Sequence, residues 1–261
     1  PDGALVVRAT RNGTLQDVAV RVTPLAGGID LTGRTYASPD TNPRAIPLAD
    51  GKYRVKVLAV GVDGAAERTF EIEIAAGAIV EREVDYSTGT IRIGATRNGA
   101  LSDVTWQLFA PGDRKRAVVT GRTYRDAKSN PAKATLPSGD YELVLTAIEI
   151  GGKPKHEAGR VTIAPNGESA AAHEFASGEL VLRVARGATL VDATVTVRSG
   201  GREVDRGRSY RDPNSNPIRF TLLPGSYEVE VVEIRGAKRE LAVEIAAGAV
   251  VERELDLDRA Q

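Results

Sequence analysis

Apolar and polar residues alternate along this chain in short runs, and the runs return in the same order three times. Every second residue of Tyr53-Arg54-Val55-Lys56-Val57 is apolar. The same positions are apolar in Tyr141-Glu142-Leu143-Val144-Leu145 and Tyr227-Glu228-Val229-Glu230-Val231. A period of two sends alternate side chains to opposite faces of a β-strand. Other runs behave alike: Ala4–Thr10, Val18–Val22, Phe70–Ile74 and Ile79–Val84 in the first copy, with counterparts in the other two. Gly, Pro, Asn and Asp bound them. No stretch sustains an apolar period of 3.6, so almost no helix is expected.

Two fixed blocks set the repeat. The first is Gly33-Arg34-Thr35-Tyr36 with Asn42-Pro43, then Gly121-Arg122-Thr123-Tyr124 with Asn130-Pro131, then Gly207-Arg208-Ser209-Tyr210 with Asn216-Pro217. The second ends in Gly51-Lys52-Tyr53, Gly139-Asp140-Tyr141 and Gly225-Ser226-Tyr227. Successive copies are offset by 88 and 86 residues. Such a unit is longer than the ~20–50 residues of a solenoid repeat and large enough for its own core. Seven short strands per copy, with turns between them, predict an all-β chain. It would form three tandem seven-stranded Ig-like or transthyretin-like sandwiches in an elongated array. The expected boundaries are 1–87, 88–176 and 177–261. Tyr86-Ser87-Thr88 and Ala176-Ser177 would be short linkers that restrict hinge motion.

The run Leu-Pro-x-Gly-x-Tyr, followed by alternating apolar residues, resembles the transthyretin-like sandwiches of carboxypeptidase regulatory-like and Cna-B-type modules. Together with Gly-Arg-Thr-Tyr and Asn-Pro, it is similar to repeats that accompany von Willebrand factor A domains in bacterial exported proteins. The resemblance covers all three copies and implies a spacer, adhesion or assembly module. A Lys–Asn isopeptide crosslink of the Cna-B kind needs a Lys in the first strand. Ala4–Thr10, Thr90–Thr96 and Glu179–Ala185 contain none, so no such crosslink is expected.

Composition narrows the classes. Lys plus Arg and Asp plus Glu are both 35, with no basic stripe, which argues against a nucleic-acid partner. No apolar run approaches ~18 residues, so no membrane insertion is expected. The absence of Cys excludes disulfides and thiolate metal sites. The chain also lacks Met and a signal peptide, which reads as a processed chain or part of a longer one.

Candidate chemistry is thin. Arg34, Arg122 and Arg208 stand two residues before Tyr36, Tyr124 and Tyr210. On a strand they would share an outward face, either as an interaction surface for protein or sugar or as an Arg stem lying along a ring. Asp17, Asp103 and Asp192 recur ahead of inward-pointing strands. They read as cation or binding carboxylates, or as caps on a turn, and the cap is expected. The loop around Asp212-Pro213-Asn214-Ser215 is rich in oxygen, as a Ca²⁺ loop would be. Its Asp shifts between copies, so Asn42, Asn130 and Asn216 with their prolines read as backbone-shaping devices. His156 and His173 occur in one copy only and are expected at the surface. Trp106 is expected in the core. Asn12-Gly13-Thr14 matches a glycosylation sequon, but only once. Tyr53, Tyr141 and Tyr227 should bury their rings, with the hydroxyl reaching a turn carbonyl, as in a tyrosine corner.

No catalytic residue, cofactor or metal site is expected. The sequence reads as a non-enzymatic structural or adhesive segment, extracellular, at the cell surface or periplasmic, with a protein partner or self-assembly. A carbohydrate-binding module using the Arg/Tyr face is one alternative, and an accessory region of a larger exported enzyme is another.

Overall fold

The structure is a computed structural model that describes residues 3–61, 67–234, 236 and 238–258. Among the described residues there is no helix, and 24 strands form six four-stranded sheets. The Gly-containing loops between the fifth and sixth strands of copies one and three lie partly outside the described residues.

Repeat one shows the plan. Its strands are β1 (Gly3–Arg11), β2 (Thr14–Leu15), β3 (Val18–Pro24), β4 (Leu31–Arg34), β5 (Arg44–Leu48), β6 (Gly51–Ala59), β7 (Arg68–Ile74) and β8 (Ile79–Asp85). Seven match the runs of alternating residues, and the two-residue stub β2 is additional. One sheet is centred on β1. It pairs antiparallel with β5 through Gly3–Val7 and with β2 through Thr10 and Arg11, while β8 runs parallel along its other edge. The second sheet is antiparallel in the order β4-β3-β6-β7. Repeat two supplies β9–β16 and repeat three β17–β24 with the same strand order and pairings.

Alternation sets the cores. In β6 the odd positions Tyr53, Val55 and Val57 are buried and the even ones exposed. They pack with Leu5, Val7, Val20, Val22, Leu48 and Ile74. Repeat three assembles the equivalent cluster from Leu180, Leu182, Val195, Val197, Tyr227 and Val229. Buried residues of repeat two include Trp106, Leu108, Leu143 and Leu145. Tyr86 is a core residue and no part of a linker: it is 3% exposed, and its hydroxyl donates to Val57 O at 2.7 Å. That burial pushes its pKa up to about 12.

The chain divides into two compact units. One comprises 1–91, 134–140 and 162–169, and the other 92–133, 141–161 and 170–261. The first contains the sheets of repeat one and the second those of repeat three.

Candidate functional site

The Gly of each Gly-Arg-Thr/Ser-Tyr block lies where an edge strand crosses a large side chain of its own sandwich. A Cβ at Gly121 would stand 2.1 Å from the Trp106 ring, and one at Gly207 would stand 2.5 Å from Ile218 Cδ1. Glycine is therefore needed for close approach. The third residue of the block points inward: Thr35, Thr123 and Ser209 are fully buried. Their hydroxyls donate to the carbonyls of Gln16, Ser102 and Val191 at 3.0, 2.8 and 3.0 Å. With that residue inward, the Arg before it and the Tyr after it face out.

Strand alternation alone does not align that pair, because Tyr36, Tyr124 and Tyr210 all lie beyond the ends of their strands. Tyr36 even has φ +57°. The pair is aligned by a third residue that sequence reasoning assigned to turn capping. Asp17 accepts Arg34 Nε at 2.9 Å and Nη2 at 2.5 Å. Asp103 accepts Arg122 at 2.5 Å through both nitrogens, and Asp192 accepts Arg208 at 2.6 Å through both. The fork then lies over the tyrosine ring, with Cζ 4.6, 4.9 and 4.8 Å from the centroids of Tyr36, Tyr124 and Tyr210. The recurring Asp is thus a bidentate partner of the recurring Arg. Its hydrogen bonds to Arg34 hold Asp17 below its ordinary pKa, and those to Arg208 do the same for Asp192. Both oxygens of each carboxylate face a guanidinium, so this carboxylate is poorly placed for a cation. The tyrosine rings stay about half exposed, at 46–50%.

The Asn-Pro residues do something different. β5 pairs with β1 up to Val7, and β2 resumes at Thr10. In the gap, Asn42 takes the place of a strand: Ala9 N–H donates to its Oδ1 at 3.1 Å, and its Nδ2 donates to Ala9 O at 2.8 Å. Asn130 does the same at Ala95, and Asn216 at Val184. All three amides are buried. The loop ahead of each is a capped turn. Asp212 Oδ1 accepts Asn214 N–H at 3.0 Å, Asp126 Oδ1 accepts Lys128 N–H at 2.9 Å, and Ser38 holds the matching position. The Asp that shifted between copies is this cap, with Ser in the first copy. Among the described residues, no group of three or more His, Asp or Glu side chains is disposed to hold a metal.

Tyr53 and Tyr227 bury their rings and donate to the turn carbonyls of Ala49 at 2.9 Å and Leu223 at 2.8 Å. Tyr141 is buried at the same position. Trp106 is 3% exposed. His156 and His173, expected at the surface, are half-buried and stacked on each other at 3.5 Å, with Phe175 edge-on to His173. Burial and His156 both lower the pKa of His173.

Two further asparagines act at the junctions between copies. Asn12 N–H donates to Ser87 Oγ at 2.8 Å, and Asn12 Oδ1 accepts Thr88 N–H at 3.0 Å. Asn98 Nδ2 donates to Ser177 O at 2.8 Å, and Asn98 Oδ1 accepts Ser177 N–H at 3.0 Å. The Asn-Gly turn of one repeat therefore holds the first residues of the next. Ser87, Thr88 and Ser177 are buried, so the junctions are pinned stretches and not free tethers. Repeat three has Arg186-Gly187 at this turn, and there Arg186 pairs with Glu233 at 2.9 Å and with Asp258. The visible signal was that Asn precedes Gly in two copies and Arg in the third.

No protein-family model matches the chain, and no curated protein matches it in sequence. Among solved structures it is similar to the Bacillus anthracis TIE protein at 19% identity and TM-score 0.34, covering 98% of this chain and 50% of that one. The chain thus spans half the length of that protein. It is similar to GBS52, the minor pilin of Streptococcus agalactiae, at 15% identity and TM-score 0.41, covering 66% of this chain and 94% of the pilin. It is also similar to BcpA, the major pilin subunit of Bacillus cereus, at 12% identity and TM-score 0.27, covering 98% and 99%.

Proposed function

We propose that this chain is a non-enzymatic structural segment of an exported bacterial protein, which spaces or assembles other parts at the cell surface. Its domains would be the sandwiches 1–87, 88–176 and 177–261. Kinship with repeats that accompany von Willebrand factor A domains belongs to the same proposal. The observation that carries it is the pinned junction. In two of the three copies the side chain of a turn asparagine is bonded to the first residue of the following copy, Asn12 to Thr88 and Asn98 to Ser177. A chain that needs only to tether its parts gains nothing from such bonds, whereas a spacer of defined reach does. Spin labels placed in repeats two and three should give one narrow distance distribution, broadened by Asn98→Ala. A broad distribution in the unmodified chain would refute the spacer reading.

One observation favours glycan binding as a second reading: three tyrosine rings, each about half exposed, stand at equivalent positions over an arginine. A glycan array tests it. Selective binding that disappears when Tyr36, Tyr124 and Tyr210 are replaced by Ala would favour the sugar site. An empty array would remove it.

A further inference from the structure

The histidine stack stands at an edge of repeat two that the other copies build differently. His156 lies on β15 (Lys155–Ile163) and His173 on β16 (Glu168–Phe175), outer strands of the two different sheets. Both alternate in phase with the inward positions, Ala158 on β15 and Ala171 and Phe175 on β16. His173 stands five residues before the glycine that opens the next copy, which is the place of Val84 in repeat one. Val84 and its counterpart Leu255 in repeat three are buried. Near the start of the strand that matches β15, the other copies place an arginine. Arg68 lies over the Tyr86 ring with Cζ 5.8 Å from the centroid, and Arg239 Nη2 donates to Leu257 O at 3.1 Å. Repeat two therefore has two titratable rings where its neighbours keep an aliphatic side chain and a fixed charge.

The rings are 6° from parallel with centroids 3.5 Å apart. Rings stacked face to face do not converge their nitrogens on a metal ion, but they put two titrating groups in direct contact. One ring can hold a proton, and a second charge at that distance, half out of water, is strongly disfavoured. Little nearby offsets it. Phe175 stands edge-on to His173 at 4.5 Å. The strands paired with β15 and β16 are β14 (Gly139–Ala147) and β9 (Thr88–Arg97). They turn Tyr141, Leu143 and Leu145, and Ile93 and Ala95, into the core. Lys155, Glu157 and Arg160 on β15 and Glu168 on β16 fall on outward positions. So do Asp140 and Glu142 on β14 and Arg92 on β9, while Arg97 closes β9. Glu174 favours a proton on His173, but burial and His156 outweigh it and lower the His173 pKa.

β16 leads straight into the junction. Glu174 Oε1 accepts Gly99 N–H at 2.8 Å, and Phe175 O accepts Asn98 N–H at 3.1 Å. Two residues further on, Ser177 is held by the Asn98 side chain. We infer that the His156–His173 stack is an acid-released latch: protonation of both rings parts β15 from β16 and slackens the Asn98 turn, so the joint between repeats two and three is firm at neutral pH and loose in acid. The sign follows from proton uptake. The unfolded chain protonates each histidine near ~6.5, whereas the stack accepts its second proton only at lower pH. Between those values the unfolded chain binds more protons, so the stability of repeat two falls as pH falls. This inference rests on the structural reading above and adds its regulation. The two fail separately. A broad distance distribution at neutral pH removes the spacer and leaves the latch, and a repeat two indifferent to acid removes the latch alone.

Native-state hydrogen exchange of the full chain at about pH 7.5 and about pH 5 tests it. With rates corrected for the intrinsic effect of pH, peptides from β15 and β16 should lose about tenfold or more in protection in acid, since one unit of pKa difference is a factor of about ten. Both histidines of the chain lie in repeat two. Peptides from β7 and β8, and from β23 (Lys238–Ile245) and β24 (Val250–Asp256), are therefore an internal control and should lose less. His173→Leu installs the residue of repeat three and should abolish the difference. His156→Phe keeps a ring in the stack without a second charge and should do the same, so the test stays readable where the leucine disturbs packing. Spin labels in repeats two and three should report a distribution that broadens in acid in the unmodified chain and in neither variant. Equal protection of β15 and β16 at the two pH values, an equal loss in all three repeats, or an acid loss that persists in both variants would each overturn the proposal.

Discussion

Asn216→Ala isolates what the asparagine of the Asn-Pro block contributes. The amide sits where neither β21 (Ile218–Leu222) nor β18 (Thr189–Leu190) reaches β17 (Gly178–Arg186). Removing it affects its partners unequally. Val184 O keeps a bond from Val191 N–H at 3.1 Å, and Val191 O keeps one from Ser209 Oγ at 3.0 Å. Val184 N–H, which donates to Asn216 Oδ1 at 3.0 Å, keeps none of the bonds described here. An orphaned buried donor costs roughly 1–3 kcal/mol, and each further lost bond about 0.5–1.5. The substitution should therefore destabilise repeat three by about 2–4 kcal/mol. Asn216→Asp separates donor from acceptor. It keeps the oxygen facing Val184 N–H but turns the second oxygen on Val184 O, a buried like-partial-charge contact. Its carboxyl would titrate above the ordinary ~3.9 in the fold. The folded state then binds more protons than the unfolded chain between those two pKa values, so stability falls as pH rises through that window.

Native-state hydrogen exchange of the full chain, followed on repeat-three peptides, reads this locally. Asn216→Ala should lower protection of the central strand β17, and Asn216→Asp should recover some protection in acid. A loss below about 1 kcal/mol for Asn216→Ala would mean that water replaces the amide at no appreciable cost. The asparagine would then be a loop-shaping residue only.

Tyr227→Ala should cost repeat three ~3–5 kcal/mol as a buried aromatic, and Tyr227→Phe only ~1 kcal/mol for the bond to Leu223 O. Tyr210→Ala, at a half-exposed ring, should cost less than Tyr227→Ala in the same exchange experiment, and the reverse order would contradict the burial of the two rings. Gly121→Ala should destabilise repeat two by about 1–3 kcal/mol or more, because its Cβ meets the Trp106 ring; an unchanged Trp emission and melt would show that the ring moves freely. Asp192→Asn should flatten the acid limb of repeat-three stability: the folded pKa of Asp192 is depressed, so its contribution is present above the ordinary carboxylate value and lost as pH falls below it. An acid limb identical to that of the unmodified chain would sink this assignment. Residues 177–261 alone should fold cooperatively, and a disordered fragment by circular dichroism would show that the repeat boundaries are misplaced.

Strand positions and buried faces were legible because alternation states them residue by residue. In β6, Tyr53, Val55 and Val57 could be placed inward from the pattern alone. The polar positions were not legible in the same way, and the reason is geometric. Asp17 and Arg34 are 17 residues apart, and only the β3–β4 ladder, which pairs Ala19 with Arg34, brings them together. Their recurrence at fixed spacing showed that they matter, but not that they matter to each other. Asn42 is harder still. Its role depends on a break in the ladder at Ala9, and nothing in a strand pattern marks where one partner strand stops short of the next. The parallel pairing of β8 with β1 is a long-range choice with no local signature.

These cases share one physical cause. A sandwich built from short strands leaves places where a ladder is interrupted or an edge ends, and each such place exposes backbone groups that must be satisfied. Here the interruptions are filled by side chains that return in every copy: an amide at Ala9, Ala95 and Val184, and a hydroxyl at Gln16, Ser102 and Val191. The copies differ where a copy meets something other than itself. Asn12 and Asn98 hold a following strand where Arg186 holds its own repeat. Invariance between copies therefore reports on the fold, and variation at matched positions reports on neighbours. On that reasoning the thrice-repeated Asp–Arg–Tyr group reads first as part of the sandwich edge, because in every copy the carboxylate fixes the arginine that overlies the ring.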